Sequence, residues 1–307
     1  MSVVEVQNLQ KRYRKIEALA GVSLTVQKGE IYGLLGQNGA GKTTLIKILL
    51  GITRGWGGDA RLLGQPAGTA STRSRVGYLP EDHSFPDYHT GYSLLDYYGQ
   101  LLGVASAVRK KRIPEMLDLM GIAERMHYKI RSYSKGMKQR LGVAQALMHN
   151  PEVVFLDEPT DGVDPVGRRD IRQLLLKLKR QGCTIFINSH LLGEVELICD
   201  RVAILRKGKM IREGDVASLT RQKGRFMIGL APDQELPLAE LKSMGYAVEP
   251  NETRWEVQLE DGQDIDAIVD FIRGRGLNLR HLVEKRQSLE ELFLKSHSRE
   301  DDVGRAS

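Results

Sequence analysis

The stretch Glu30-Ile31-Tyr32-Gly33-Leu34-Leu35-Gly36-Gln37-Asn38-Gly39-Ala40-Gly41-Lys42-Thr43-Thr44 decides how this chain is read. Its first six residues are mostly apolar and read as a strand. Gly36 to Thr43 then fits the pattern G-x-x-x-x-G-K-[ST], and Thr44 to Leu50 is strongly helical. Gly36, Gly39 and Gly41 let the backbone bend so that successive N–H groups point inward, forming an anion cradle with Asn38, Ala40 and Thr44. The helix opening at Gly41 adds the positive end of its dipole. Lys42 is placed to neutralise the β- and γ-phosphates, and the Thr43 hydroxyl offers Mg²⁺ a hard oxygen ligand. The expectation is a nucleoside triphosphate site, which leaves kinases, GTPases and many ATPases open.

Outward from that loop, 307 residues suffice for a full core and two domains. Hydrophobic residues make up 41% and charged residues 27%, the balance of an ordinary globular protein, and no apolar run approaches the ~20 residues that span a bilayer. Met1 to Val6 reads as a first strand rather than a leader, so the chain is expected on the cytoplasmic side unless a partner holds it at a membrane. Cys183 and Cys199 lie in mostly apolar surroundings without metal-ligand spacing and read as buried thiols. A net charge of +6 invites a nucleic-acid reading. The basic runs Arg109 to Arg112 and Arg206 to Lys209 are short and lack interleaved aromatic residues, so no nucleic-acid partner is expected.

Residues 1–220 alternate strand and helix signals, with a helical middle over about 93–148. Val3 to Leu9 and Val22 to Val26 read as an antiparallel edge layer, while Val153 to Leu156, Thr184 to Asn188 and Val202 to Arg206 read as buried, mainly parallel strands. This is an α/β fold. Composition changes near Thr220, and residues 221–296 follow the order β-α-β-β-α-β of a ferredoxin-like accessory domain. A polar tail occupies 297–307.

The strand Val153-Val154-Phe155-Leu156 ends in Asp157 and Glu158. Such a strand delivers its acids to the same sheet edge as the phosphate loop. Asp157 can then hold Mg²⁺, directly or through water, and Glu158 can orient and deprotonate the water that attacks the γ-phosphate.

With these, the segments Tyr133-Ser134-Lys135-Gly136-Met137-Lys138-Gln139-Arg140, Pro159-Thr160-Asp161-Gly162-Val163-Asp164 and Asn188-Ser189-His190 give residues 1–220 a close resemblance to the ATP-binding cassette family. They stand where that family has its signature, its connecting loop and its switch histidine. The resemblance implies an ABC-type P-loop ATPase using ATP and Mg²⁺ and working as a homodimer. In it, Ser134 and Gly136 grip the γ-phosphate held by the opposite subunit. Glu158 and His190 are the implied catalytic pair; Thr43, Asp157 and Glu81 the metal-linked residues; Tyr13 the aromatic on adenine; Asp164 a further nucleotide-site residue.

The family's signature has glycine and glutamine where this chain has Lys135 and Met137, and a glutamine where it has Glu81. These variants and the appended domain resemble the bacterial two-component export (ABC-2 type) group, which implies an integral membrane permease on a separate chain. Tyr78, Phe85, Tyr88, Tyr92, Tyr97 and Tyr98 fall in the segment that in this family receives the permease, although Tyr97 and Tyr98 fit a helical core equally well. The alternative is a soluble cassette acting on the ribosome or nucleic acid. Against it stand the single phosphate loop and the absence of a coiled-coil insertion between Thr43 and Tyr133.

Overall fold

A computed structural model describes residues 1–260 and 262–294; the polar tail expected over 297–307 lies outside them. The chain forms two compact units, Met1–Val216 and Ala217–Ser307.

In the first unit, β1 (Ser2–Tyr13), β2 (Ile16–Gln27), β4 (Gly57–Leu62) and β5 (Gln65–Pro66) form an antiparallel sheet in the order β2-β1-β4-β5. The β1–β2 hairpin runs well past the expected Val3–Leu9 and Val22–Val26, to a tip where Tyr13 pairs with Ile16. The second sheet contains β3 (Ile31–Leu35), β6 (Val76–Leu79), β7 (Val153–Asp157), β8 (Thr184–Asn188), β9 (Arg201–Arg206) and β10 (Lys209–Asp215). Its order is β10-β9-β3-β8-β7-β6, parallel throughout except for β10. β3, β7 and β8 are buried along their whole length, as their unbroken apolar runs require of strands covered on both faces.

Between the sheets, α1 (Lys42–Leu49) buries Leu45, Ile46, Ile48 and Leu49. Phe186 lies against both Tyr32 and Phe155, at 5.5 and 5.2 Å between ring centroids. Each such fully buried ring contributes roughly 1.5–3 kcal/mol through removal from water.

The helical part holds α2 (Gly91–Leu101), α3 (Ser106–Leu119) and α4 (Lys135–Leu147); α5 (Pro165–Arg180) and α6 (Leu192–Ile198) follow β7 and β8. A capping box of Thr90 and Ser93 starts α2, and Asp164 caps α5 by accepting from the Gly167 N–H at 2.6 Å.

After α7 (Val216–Thr220) come β11 (Arg221–Leu230), α8 (Leu238–Ser243), β12 (Ala247–Asn251), β13 (Arg254–Gln258), α9 (Ile265–Gly274) and β14 (Leu279–Arg286). Their antiparallel sheet has the order β12-β13-β11-β14, the ferredoxin-like arrangement. Ile268 and Ile272 of α9 pack with Ile228, Val248 and Val257 to make this unit's own core.

Candidate nucleotide site

β3, β7 and β8 are neighbours, and their register aligns Leu34 with Asn188 and Asn188 with Asp157. The residues following these strands therefore converge on one sheet edge. A cleft of about 440 Å³ opens there, lined by Asn38 to Thr44, Glu81, Glu158 and Asn188, with Ile16 and Ala18 on its other wall. Gly41 stands at the head of α1 with φ of +109° and no side-chain cap. A Cβ at that position would come within 2.4 Å of the Ala18 carbonyl oxygen, so only glycine lets the helix start this close to the wall.

The Lys42 ammonium is buried and donates to the carbonyls of Gly36 and Gln37 at 2.5 and 3.2 Å. Burial pulls its pKa down, and the nearby Glu158, Asp157 and Glu81 partly oppose this. Thr43 Oγ1 donates to Asp157 Oδ2 at 3.1 Å, and Asn188 Nδ2 donates to Asp157 Oδ1. Asp157 is fully buried, and loss of hydration pushes its carboxyl up to about 6 despite these two bonds.

Beside this carboxylate, Asn188 Oδ1 is buried without a hydrogen-bond partner. Hard oxygens and an uncompensated buried carboxylate suit a small divalent cation. The described residues contain no cluster of three acidic, histidine or cysteine side chains, but Mg²⁺ needs only one or two protein oxygens when phosphates and water complete its shell. Thr43 and Asp157 therefore fit as its protein ligands.

Glu158 follows Asp157 with its side chain held at the cleft. Ser189 Oγ donates to Glu158 Oε2 at 3.2 Å, and His190 Nδ1 stands 2.9 Å from the same oxygen. His190 is mostly exposed, so one face of the pair stays open to solvent.

Four expected residues, Tyr13, Ser134, Gly136 and Asp164, stand apart from the cleft. Tyr13 sits across the hairpin from Ile16, its ring under the Lys11 ammonium at 4.7 Å and its hydroxyl 3.4 Å from Thr53 Oγ1. Ile16 and Ala18, which the sequence reading missed, also line the cleft wall. Ser134 and Gly136 also stand outside it, at the head of α4, where Ser134 Oγ accepts from the Met137 N–H at 3.2 Å. Asp164 is committed to capping α5.

The ABC transporter family model matches residues 19–161. A relative in Synechocystis sp., an uncharacterized ABC transporter ATP-binding protein, is 43% identical over 96% of this chain and 84% of its own length. This chain belongs to the ABC transporter ATP-binding proteins. The bacitracin transport ATP-binding protein BcrA of Enterococcus faecalis is 33% identical, over 95% of this chain and 96% of its own length. Among solved structures, one described as the ATP binding subunit of an ABC transporter has a TM-score of 0.66 at 27% identity, over 71% of this chain and 91% of its own. The chain is thus an ABC-family ATPase, and ATP with Mg²⁺ is the nucleotide form that such ATPases use.

Proposed function

We propose that this chain is the motor subunit of an export transporter: two copies close head to tail over two ATP molecules and drive a separate membrane permease, which holds them at the cytoplasmic face. The observation carrying the dimer is Gly136. A Cβ there would meet only ordinary contacts of 3.5 Å and longer, so nothing within the subunit demands glycine. A phosphate approaching the α4 N-terminus from outside does, because it needs the backbone bare. Ser134 and Gly136 also lie outside their own chain's cleft, which suits a role on the partner's ATP.

Within one subunit, Lys42 leaves its carbonyls to bind the β- and γ-phosphates, and Glu158 takes the proton of the attacking water while His190 donates to the γ-phosphate. When bound, Mg²⁺ supplies charge neutralisation at the phosphate oxygens. A permease-docking surface is supported by the aromatic run Tyr88, His89, Tyr97 and Tyr98, whose rings contact one another in sequence, with Tyr88 and Tyr97 exposed and His89 and Tyr98 half-buried. Tyr88 is 72% and Tyr97 49% exposed, which favours an interface over a core role for both. No helix among the described residues is long and apolar enough to cross a membrane. Kinship with a bacitracin transport protein supports a transport role.

The test is Glu158→Gln measured with ATP and Mg²⁺. Hydrolysis should slow by about 10² to 10⁴ while ATP binding is kept, and a dimer should accumulate on size exclusion. Turnover near that of the wild type would remove Glu158 as the base.

A further inference from the structure

Glu158 occupies a conformation that its side chain disfavours. Its φ is +52°, in the left-handed region that a residue with a Cβ adopts only when its surroundings hold it there. Several bonds hold it there. Its N–H donates to the Asn188 carbonyl at 2.8 Å, and its carboxylate meets Ser189 and His190. Its carbonyl accepts from the Asp161 N–H at 3.2 Å, closing the turn over 158–161, and from Gln139 Nε2 at 2.8 Å. Asn188 ends β8, Ser189 and His190 follow it, and Asp161 is local to the turn. Among these groups only Gln139 comes from α4, the helix that Ser134 opens.

Gln139 is 4% exposed. Breaking its bond would leave a buried amide unpaired at the full cost of its desolvation, so the contact is firmly kept. It lies five residues beyond Ser134 on one continuous helix, about 7.5 Å along the axis, so the two move as one body.

We propose that Gln139 is a positioning residue for Glu158, passing the placement of α4 to the carboxylate through the Glu158 carbonyl. The proposal rests on the reading in which Glu158 activates water and Ser134 grips the partner's phosphate. Under it, engagement of that phosphate fixes α4, α4 fixes the Glu158 peptide, and each subunit becomes competent for hydrolysis only when the opposite site holds ATP. Without the Gln139 bond the peptide relaxes away from positive φ, and the carboxylate swings off Ser189 and His190.

The experiment is Gln139→Met, which keeps length and removes the donor, assayed as the full chain. The expected result is a kcat lower by about 10- to 100-fold, with KM and the ATP affinity of the monomer held, since a displacement near 1 Å costs that much. Combined with Glu158→Gln, it should add no further loss, because both act through one carboxylate, and the ATP-trapped dimer should persist. Wild-type kcat in Gln139→Met, with Glu158→Gln slow, overturns the proposal and leaves the role of Glu158 standing. Wild-type turnover in Glu158→Gln overturns the underlying reading itself. Should Gln139→Met fail to bind ATP, Gln139→Asn, which withdraws the amide by one methylene, is read the same way. Loss of ATP binding in both variants assigns Gln139 to the core and overturns the proposal.

Discussion

Two helix N-termini in this molecule are proposed to meet phosphate, and they are built differently. The head of α1 has no side-chain cap; backbone, three glycines and Lys42 make the whole cradle within a dozen residues of β3. The head of α4 has its cap filled by Ser134, its next residue tied to Asp161 by an ion pair of 2.6 Å, and a glycine that no intrachain contact explains. A site made of contiguous backbone is complete in one chain. One whose glycine has no reason within its own chain supports assembly by a second copy.

The largest effect should come from breaking the complete site. Lys42→Ala removes the cation from the cradle and should weaken ATP binding by the monomer by about 10²-fold or more, as loss of a buried charge-assisted contact does. Titration of the isolated monomer with nucleotide measures it; unchanged affinity would mean the backbone cradle suffices. Ser134→Arg should do the opposite at the half site, leaving monomer affinity intact while turnover falls by about 10- to 100-fold as closure is blocked. Normal hydrolysis by Ser134→Arg would collapse the contrast between the two helices, because both would then serve the same chain.

What the sequence made legible follows the same division. The phosphate loop, the acidic pair and the buried strands could be read because each is a local pattern of residue type and spacing. The ferredoxin-like unit was legible likewise: Ile265, Ile268, Val269 and Ile272 keep helical period, and the sheet order β12-β13-β11-β14 is the one that arrangement implies. Bonds between distant residues were not legible. Asn188 meets Asp157 because the β7–β8 register brings them level, and Gln139 meets Glu158 because α4 packs near the end of β7. Neither follows from residue type. The hairpin shows the same limit: its length, which puts Ile16 and Ala18 on the cleft wall and Tyr13 opposite Ile16, comes from strand pairing rather than from any local pattern.

The smallest expected effect sharpens the comparison at Lys135, where the family's signature has glycine. The side chain does not reach out toward a ligand. Its stem lies over Gly162, where a Cβ would approach Lys135 Cδ to 2.5 Å, and its ammonium holds the Asp161 carboxyl below its usual range. Gly162 has φ of +65°, so a glycine there satisfies both the turn and the lysine. The pair is nevertheless exposed, with side chains 71% and 49% accessible, and such pairs contribute at most about 1 kcal/mol. Lys135→Ala should therefore lower the melting temperature by no more than about 2–4 °C, and the difference should shrink as salt is raised. Because the carboxyl of Asp161 is held low by Lys135, this contribution should be present near neutral pH and fade as acid protonates Asp161. Thermal melts of both proteins at low and high salt decide it. A difference that survives high salt would assign the lysine's contribution to packing over Gly162 rather than to charge, leaving the head of α4 held by shape.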